Sequence, residues 1–156
     1  MKLLPHVAMS AAIGSALWAV TRDPLALPAA LGAGVLPDAD HLIDYFNWYV
    51  RRDRSRVILL LHGWEYLIAG IVVYAAWLHS PWMLAAILGY ASQVIADWAV
   101  HDSTWLTYSV LWRAWHRFEA VKTTTKDPAF AYISFVESVP FGRKWLHRWF
   151  YNRLRP

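Results

Sequence analysis

The sequence predicts an all-α membrane protein: a polytopic four-helix bundle with amphipathic interfacial helices at its C-terminus. Three observations carry that expectation. The 156-residue chain is 58% hydrophobic and 17% charged, whereas soluble domains carry about a quarter charged residues. Its apolar residues gather into runs near the ~20 residues that a spanning helix needs. It also holds 11 Trp, a residue enriched at membrane–water interfaces. The length suits one unit, read as a bundle over 1–101 followed by a basic helical tail over 102–156. The absence of cysteine excludes disulfides, thiolate metal ligands and a cysteine nucleophile.

The first element is the apolar run 3–21, LLPHVAMSAAIGSALWAVT, closed by Arg22-Asp23. Its Met-Lys start and small residues near the end also fit a signal peptide. Pro5 and His6 inside the run, and the lack of a clean cleavage site, argue for a retained helix. Pro24 suits a first helical position. Residues 24–36 are too short to span alone, so the helix is expected to continue through Pro37 with a kink and to reach Tyr49. "RRDRSR" at 51–56 is a basic loop. Residues 57–79 are long enough to cross, Ser80-Pro81 turns, and 82–100 crosses back. The tail interleaves Arg and Lys with Trp and Phe, and its last piece, "GRKWLHRWFYNRLRP", reads as a helix lying on the membrane surface. Trp145, Leu146, Trp149 and Phe150 fit that interface better than a nucleic-acid arm, so nucleic acid is not an expected partner.

Basic residues mark the cytoplasmic side. The loop 51–56 and the tail hold most of them, which places both termini in the cytoplasm of a bacterial inner membrane, with lipids as partners. Trp77 and Trp82 then mark the outer interface, and Trp48, Trp98 and Trp105 the inner one. The same topology brings the ionisable residues to one end. His6 starts the first helix; Asp38, Asp40, His41 and Asp44 follow the second; His62 and Glu65 open the third; Asp97 and His101 close the fourth. Gln93, Asp97 and His101 share a helix face at i, i+4, i+8, as do His62 and Glu65 at i, i+3. Ionisable residues within a membrane bundle usually face its interior and mark function.

Imidazole and carboxylate groups of this kind bind Zn²⁺, Mn²⁺ or Fe²⁺, as one ion or as two ions that clamp a phosphoester. Each piece also has a purely structural reading. Asp38 or Asp40 can cap a helix, His62 can bond a carbonyl, Glu65 can pair with a loop arginine, and Asp97 can pair with Arg52 or Arg113. His79, His116 and His147 read as interface or surface residues. The structural readings would all have to hold at the same end of the bundle, and that favours a shared site.

His6, "PDADH" at 37–41, "LHGWE" at 61–65 and "GYASQVIAD" at 89–97 resemble, in order and spacing, the membrane-bound metal-dependent hydrolases of the YdjM-like group, which are distantly similar to zinc-dependent phospholipase C. The likeness reaches to roughly residue 120. It departs at Gln93, where the family carries histidine; His101, on the same face, is positioned to compensate. The resemblance implies a metal-assisted hydrolase acting on a phosphoester or ester of a lipid or membrane-proximal substrate. The expected metal ligands are His6, Asp38, His62, Asp97 and His101, with Asp40 or Glu65 as general base. His41, Asp44 and Gln93 are expected to orient those ligands, and Arg51, Arg52, Arg54 and Arg56 to hold an anionic headgroup or simply to fix topology. The rival reading is a non-catalytic membrane adaptor with a structural metal or ion-pair site and a basic partner-binding tail. An ion pathway is disfavoured, because the outer halves of the helices are almost wholly apolar.

Overall fold

The structure, a computed structural model, describes residues 3–53, 55–101, 104–123 and residues 144, 145 and 148. Its regular elements are helical, with an isolated bridge between Arg56 and Glu119. Helix α1 covers Leu3–Thr21 and α2 Ala26–Val35; a 3-10 turn over Leu36–Asp40 leads to α3, His41–Tyr45, and a π turn over Phe46–Val50. After an irregular segment come α4, Trp64–Ala76, and α5, Pro81–His101. A 3-10 turn at Trp105–Tyr108 precedes α6, Val110–Trp115, and α7, Ala120–Thr123.

α1 ends where Arg22 takes a left-handed conformation, φ 60°, while its N–H still reaches the Trp18 carbonyl at 2.8 Å. Asp23 Oδ1 then accepts the Leu25 N–H at 3.0 Å and tightens the turn into α2. The α ladder expected to run on to Tyr49 stops at Val35. Pro37 has no N–H to give it, and the chain changes helical pitch three times between Val35 and Val50.

α1 and residues 81–100 of α5 are each long and apolar enough to cross a membrane. Only 17% and 33% of those stretches is buried, so most of their apolar surface faces outward, unlike a soluble core helix. α2 and α4, with 10 and 13 residues, fall short of a full span. Among the described residues, two helices of spanning length therefore stand where four crossings were expected. α4 is short because residues 57–63 stay non-helical, with several of their backbone groups committed to side chains described below.

α1, α2 and α5 pack along one seam. Buried residues recur every four positions on each: His6, Ser10 and Gly14; Ala26, Ala30 and Gly34; Ala85, Gly89, Gln93 and Asp97. Small side chains let the backbones approach, the usual device where lipid removes the hydrophobic drive between helices. Gly34 meets Ser10 and Gly89, and Gly89 meets Ala30. These contacts set α2 antiparallel to α1 and parallel to α5. Continued one turn further, each stripe leaves its small residues behind and delivers His6, Asp38, Gln93 and Asp97 to the same end.

A Cβ at Gly89 would lie 2.4 Å from the Ala30 carbonyl oxygen, whereas one at Gly32 meets only Leu36 Cδ1 at 4.0 Å. Gly89→Ala should therefore lower stability by about 1–3 kcal/mol through overpacking. Gly32→Ala should be neutral or raise stability by up to about 1 kcal/mol through helix propensity. Thermal unfolding of the two variants in detergent checks the contrast.

Candidate metal centre

Five segments meet at that end. His6 comes from α1, Asp38 and Asp40 from the 3-10 turn, His41 from α3, His62 from the irregular segment before α4, and Gln93 and Asp97 from α5. His6 Nε2 lies 3.1 Å from Asp97 Oδ1. His62 Nε2 lies 3.4 Å from Asp97 Oδ2 and 3.5 Å from Asp38 Oδ1. Behind it, His62 Nδ1 sits 3.1 Å from Asp40 Oδ1 and 3.2 Å from Asp40 Oδ2. A carboxylate on one ring nitrogen fixes the ring and directs the other nitrogen into the cluster, the usual arrangement for a ligating histidine. His41 Nδ1 stands 3.2 Å from Asp40 Oδ1, and the His41 and His62 rings meet edge-on at 4.9 Å.

Two groups here can hold a cation: His6, Asp38 and Asp97, and Asp38, His41 and His62. Within each, one ligand atom per residue lies within 4.8 Å of the others. Asp38 belongs to both. The donor chemistry fits a divalent ion, since imidazole and carboxylate are ordinary ligands for one. Gln93 strengthens the fit, because its Oε1 is buried without a hydrogen-bond partner.

Asp40 and Asp44, both outside the apolar spans, behave differently. Burial alone would push the Asp40 carboxyl up, but the His41 and His62 imidazoles outweigh it and hold Asp40 below the usual carboxylate range. Burial wins at Asp44 and raises it, despite two backbone donors. Those donors are the N–H groups of Ile58 and Leu59, at 2.8 and 3.1 Å. Asp44 thus holds the backbone of the segment that carries His62.

That segment has no ladder of its own, and buried backbone groups need partners. Side chains from four elements provide them. Asp40 Oδ2 accepts the Leu61 N–H at 2.7 Å. The Tyr90 hydroxyl accepts the Gly63 N–H at 2.9 Å and lies 2.8 Å from the Leu61 and Gly63 carbonyls. Arg113, fully buried, donates to the carbonyls of His62, Ile58 and Ser109. Leu59 adopts φ 36° within the same stretch, a strained state for a branched side chain and one that collects near functional sites.

The expected residues divide accordingly. His6, Asp38, His62 and Asp97 come together. His41 joins them as a potential ligand, where orientation alone was expected of it. Asp40 stands behind His62, and Asp44 binds backbone. Gln93 sits among the ligands, with Nε2 2.6 Å from Asp38 Oδ1 and 3.3 Å from Asp97 Oδ2. Glu65 does not reach the cluster. It accepts from the Ser109 hydroxyl and from the Val110 and Leu111 N–H groups, both at 3.1 Å, and so caps α6. His101 ends α5, but its side chain, like Arg54 and most of the tail, lies outside the described residues. Arg51, Arg52 and Arg56 are exposed, with Arg51 over the Phe46 ring at 5.6 Å. Arg113 and Tyr90 were not predicted as parts of the site. The only signal for Arg113 was one charge in an otherwise apolar stretch, "YSVLWRAW".

Comparisons with protein-family models, with curated proteins and with solved structures give no match.

Arg113→Met strips three carbonyls, that of His62 buried, of a charged donor and leaves Asp40, Asp44 and Glu65 without a nearby cation. It should cost about 3–5 kcal/mol, the scale for breaking a buried charge arrangement. Glu65→Ala should cost about 1–2 kcal/mol, as a lost cap does, and should leave bound metal unchanged. Unfolding midpoints with elemental analysis of the same samples test both expectations.

Proposed function

We propose that this chain is an integral membrane, metal-dependent hydrolase acting on a phosphoester or ester of a lipid or membrane-proximal substrate. The observation that carries the reading is the pair of overlapping ligand groups that share Asp38. The resemblance of "PDADH" and its companion segments to the YdjM-like hydrolases supports the same class. On this reading α1 and α5 cross the membrane, α2 and α4 complete a four-helix bundle with the neighbouring turns, and both termini and the centre lie on the cytoplasmic side. One or two ions are held by His6, Asp38, His41, His62 and Asp97. A divalent cation there supplies a Lewis acid and makes water a nucleophile near neutral pH.

The protein's own residues do the rest. Asp40 orients His62 and, through Leu61, its backbone. His6, His62 and Asp97 are almost fully buried, whereas the side chains of Asp38 and His41 are 18% and 22% exposed. Substrate therefore approaches over Asp38 and His41. With Asp40 and Glu65 engaged elsewhere, Asp38 is the cluster carboxylate best placed to take a proton from that side. Leu36, Leu42, Ile43 and Phe46, all exposed, flank this approach along the same segment. An apolar rim beside the accessible ligands suits a substrate with hydrocarbon chains. Exposed Arg51, Arg52 and Arg56 follow directly in sequence and are suited to an anionic headgroup.

Detergent-purified protein should carry Zn, Mn or Fe, and Asp38→Ala should lose metal from both groups. Turnover of a phosphodiester lipid in mixed micelles should fall at least about 100-fold in that variant, the upper end of what even an indirect ligand partner contributes. Bound metal without turnover in the wild type would support a non-catalytic adaptor instead. Absence of metal would remove the hydrolase reading.

A further inference from the structure

The Gln93 amide occupies an unusual position. Its single nitrogen, Nε2, is 2.6 Å from Asp38 Oδ1, 3.3 Å from Asp97 Oδ2 and 3.3 Å from His62 Nε2. One atom thus touches a potential ligand atom from each of three elements: the 3-10 turn, α5 itself and the segment before α4. An amide NH₂ only donates. It satisfies the two carboxylates by presenting partial positive charge to them, as a cation would. It cannot ligate a cation, since it offers no free electron pair. Meanwhile Oε1, on the same amide carbon, is buried without a hydrogen-bond partner, and Gln93 is 0% exposed. The terminal amide torsion is broad and roughly two-fold, so half a turn exchanges the two atoms while α5 stays where it is.

We propose that Gln93 turns its amide over when a cation enters, presents Oε1 as a ligand beside His6, Asp38 and Asp97, and thereby biases this half of the centre toward Mn²⁺ relative to Zn²⁺. The inference rests on the metal reading above. The donors of this half then become one imidazole nitrogen and three oxygens. The other half, Asp38, His41 and His62, offers two imidazoles and one carboxylate. Carboxylate and carbonyl oxygens suit Mn²⁺, whereas imidazole suits Zn²⁺. Zn²⁺ binds most sites more tightly in absolute terms, so the effect of Gln93 is a shift in relative affinity. The centre becomes chemically asymmetric, with Asp38 between two halves of different preference.

The test is competition between the two ions. Wild type, Gln93→His and Gln93→Glu, each full length in detergent, are stripped with chelator and dialysed against equal Mn²⁺ and Zn²⁺. Bound metals are counted by elemental analysis, and Mn²⁺ is followed by its paramagnetic resonance spectrum. Gln93→His, which replaces an oxygen with a nitrogen donor, should lower the bound Mn:Zn ratio by about tenfold or more. Gln93→Glu, which keeps an oxygen, should hold the ratio at or above the wild-type value. An unchanged ratio in Gln93→His, with metal still bound, overturns the role of Gln93 and leaves the metal centre standing. Loss of both ions from every protein, wild type included, overturns the centre itself. Should Gln93→His fail to unfold cooperatively, Gln93→Glu decides: a ratio below the wild-type value overturns the proposal, and one at or above it supports the proposal.

Discussion

Asp38, Asp40 and Asp97 converge on His62 within 3.5 Å, at one end of the seam formed by α1, α2 and α5. Carboxylates this close repel strongly when water is excluded, and each must find positive charge or donors. His6, His41, His62 and the Gln93 amide provide them within the cluster. The rest of the architecture can be understood as the means of bringing these groups together. The seam of small residues aligns α1, α2 and α5 closely enough for their next turns to place His6, Asp38 and Asp97 in one pocket. A wider helix spacing would leave the same residues as isolated, unaffordable charges.

His62 is the member that no helix positions. It sits in an irregular, turn-containing stretch several of whose amides and carbonyls are taken by Asp40, Asp44, Tyr90 and Arg113. Those four contacts use the chain as a template without using a ladder. Their cost is evident: a buried guanidinium, a carboxyl raised by burial at Asp44, and a strained Leu59. Such a cost is expected where a side chain must be aimed more accurately than regular structure allows. The ring that benefits touches Asp38, Asp97 and Gln93, the groups on which the proposed chemistry depends.

Much of this was legible in the sequence, for a definite reason. Helical repeats announce which residues share a face, so Gln93 and Asp97 were readable as a pair, and the turn sequence "PDADH" stood out against apolar surroundings. Pairing between side chains and distant backbone leaves no periodic trace. Asp44, Glu65 and Arg113 were therefore visible as charges but not as the braces they are, and the length of α4 was overestimated because its first residues are bound elsewhere. His41 stands out in the sequence only as a neighbour of Asp40, because sequence position does not tell which nitrogen of neighbouring histidines faces a carboxylate. The amphipathic reading of the last 15 residues falls mostly outside the described part of the chain.

Arg113 has a consequence for the order of events during synthesis. All five residues of the two ligand groups have left the ribosome by Asp97, yet the guanidinium that seats the His62 carbonyl follows 16 positions later. A nascent chain therefore passes through a stage with a complete set of donors and an unfinished mount. On the proposed reading, the mount of His62 is completed only when α6 docks, after every donor of the two groups has already been made.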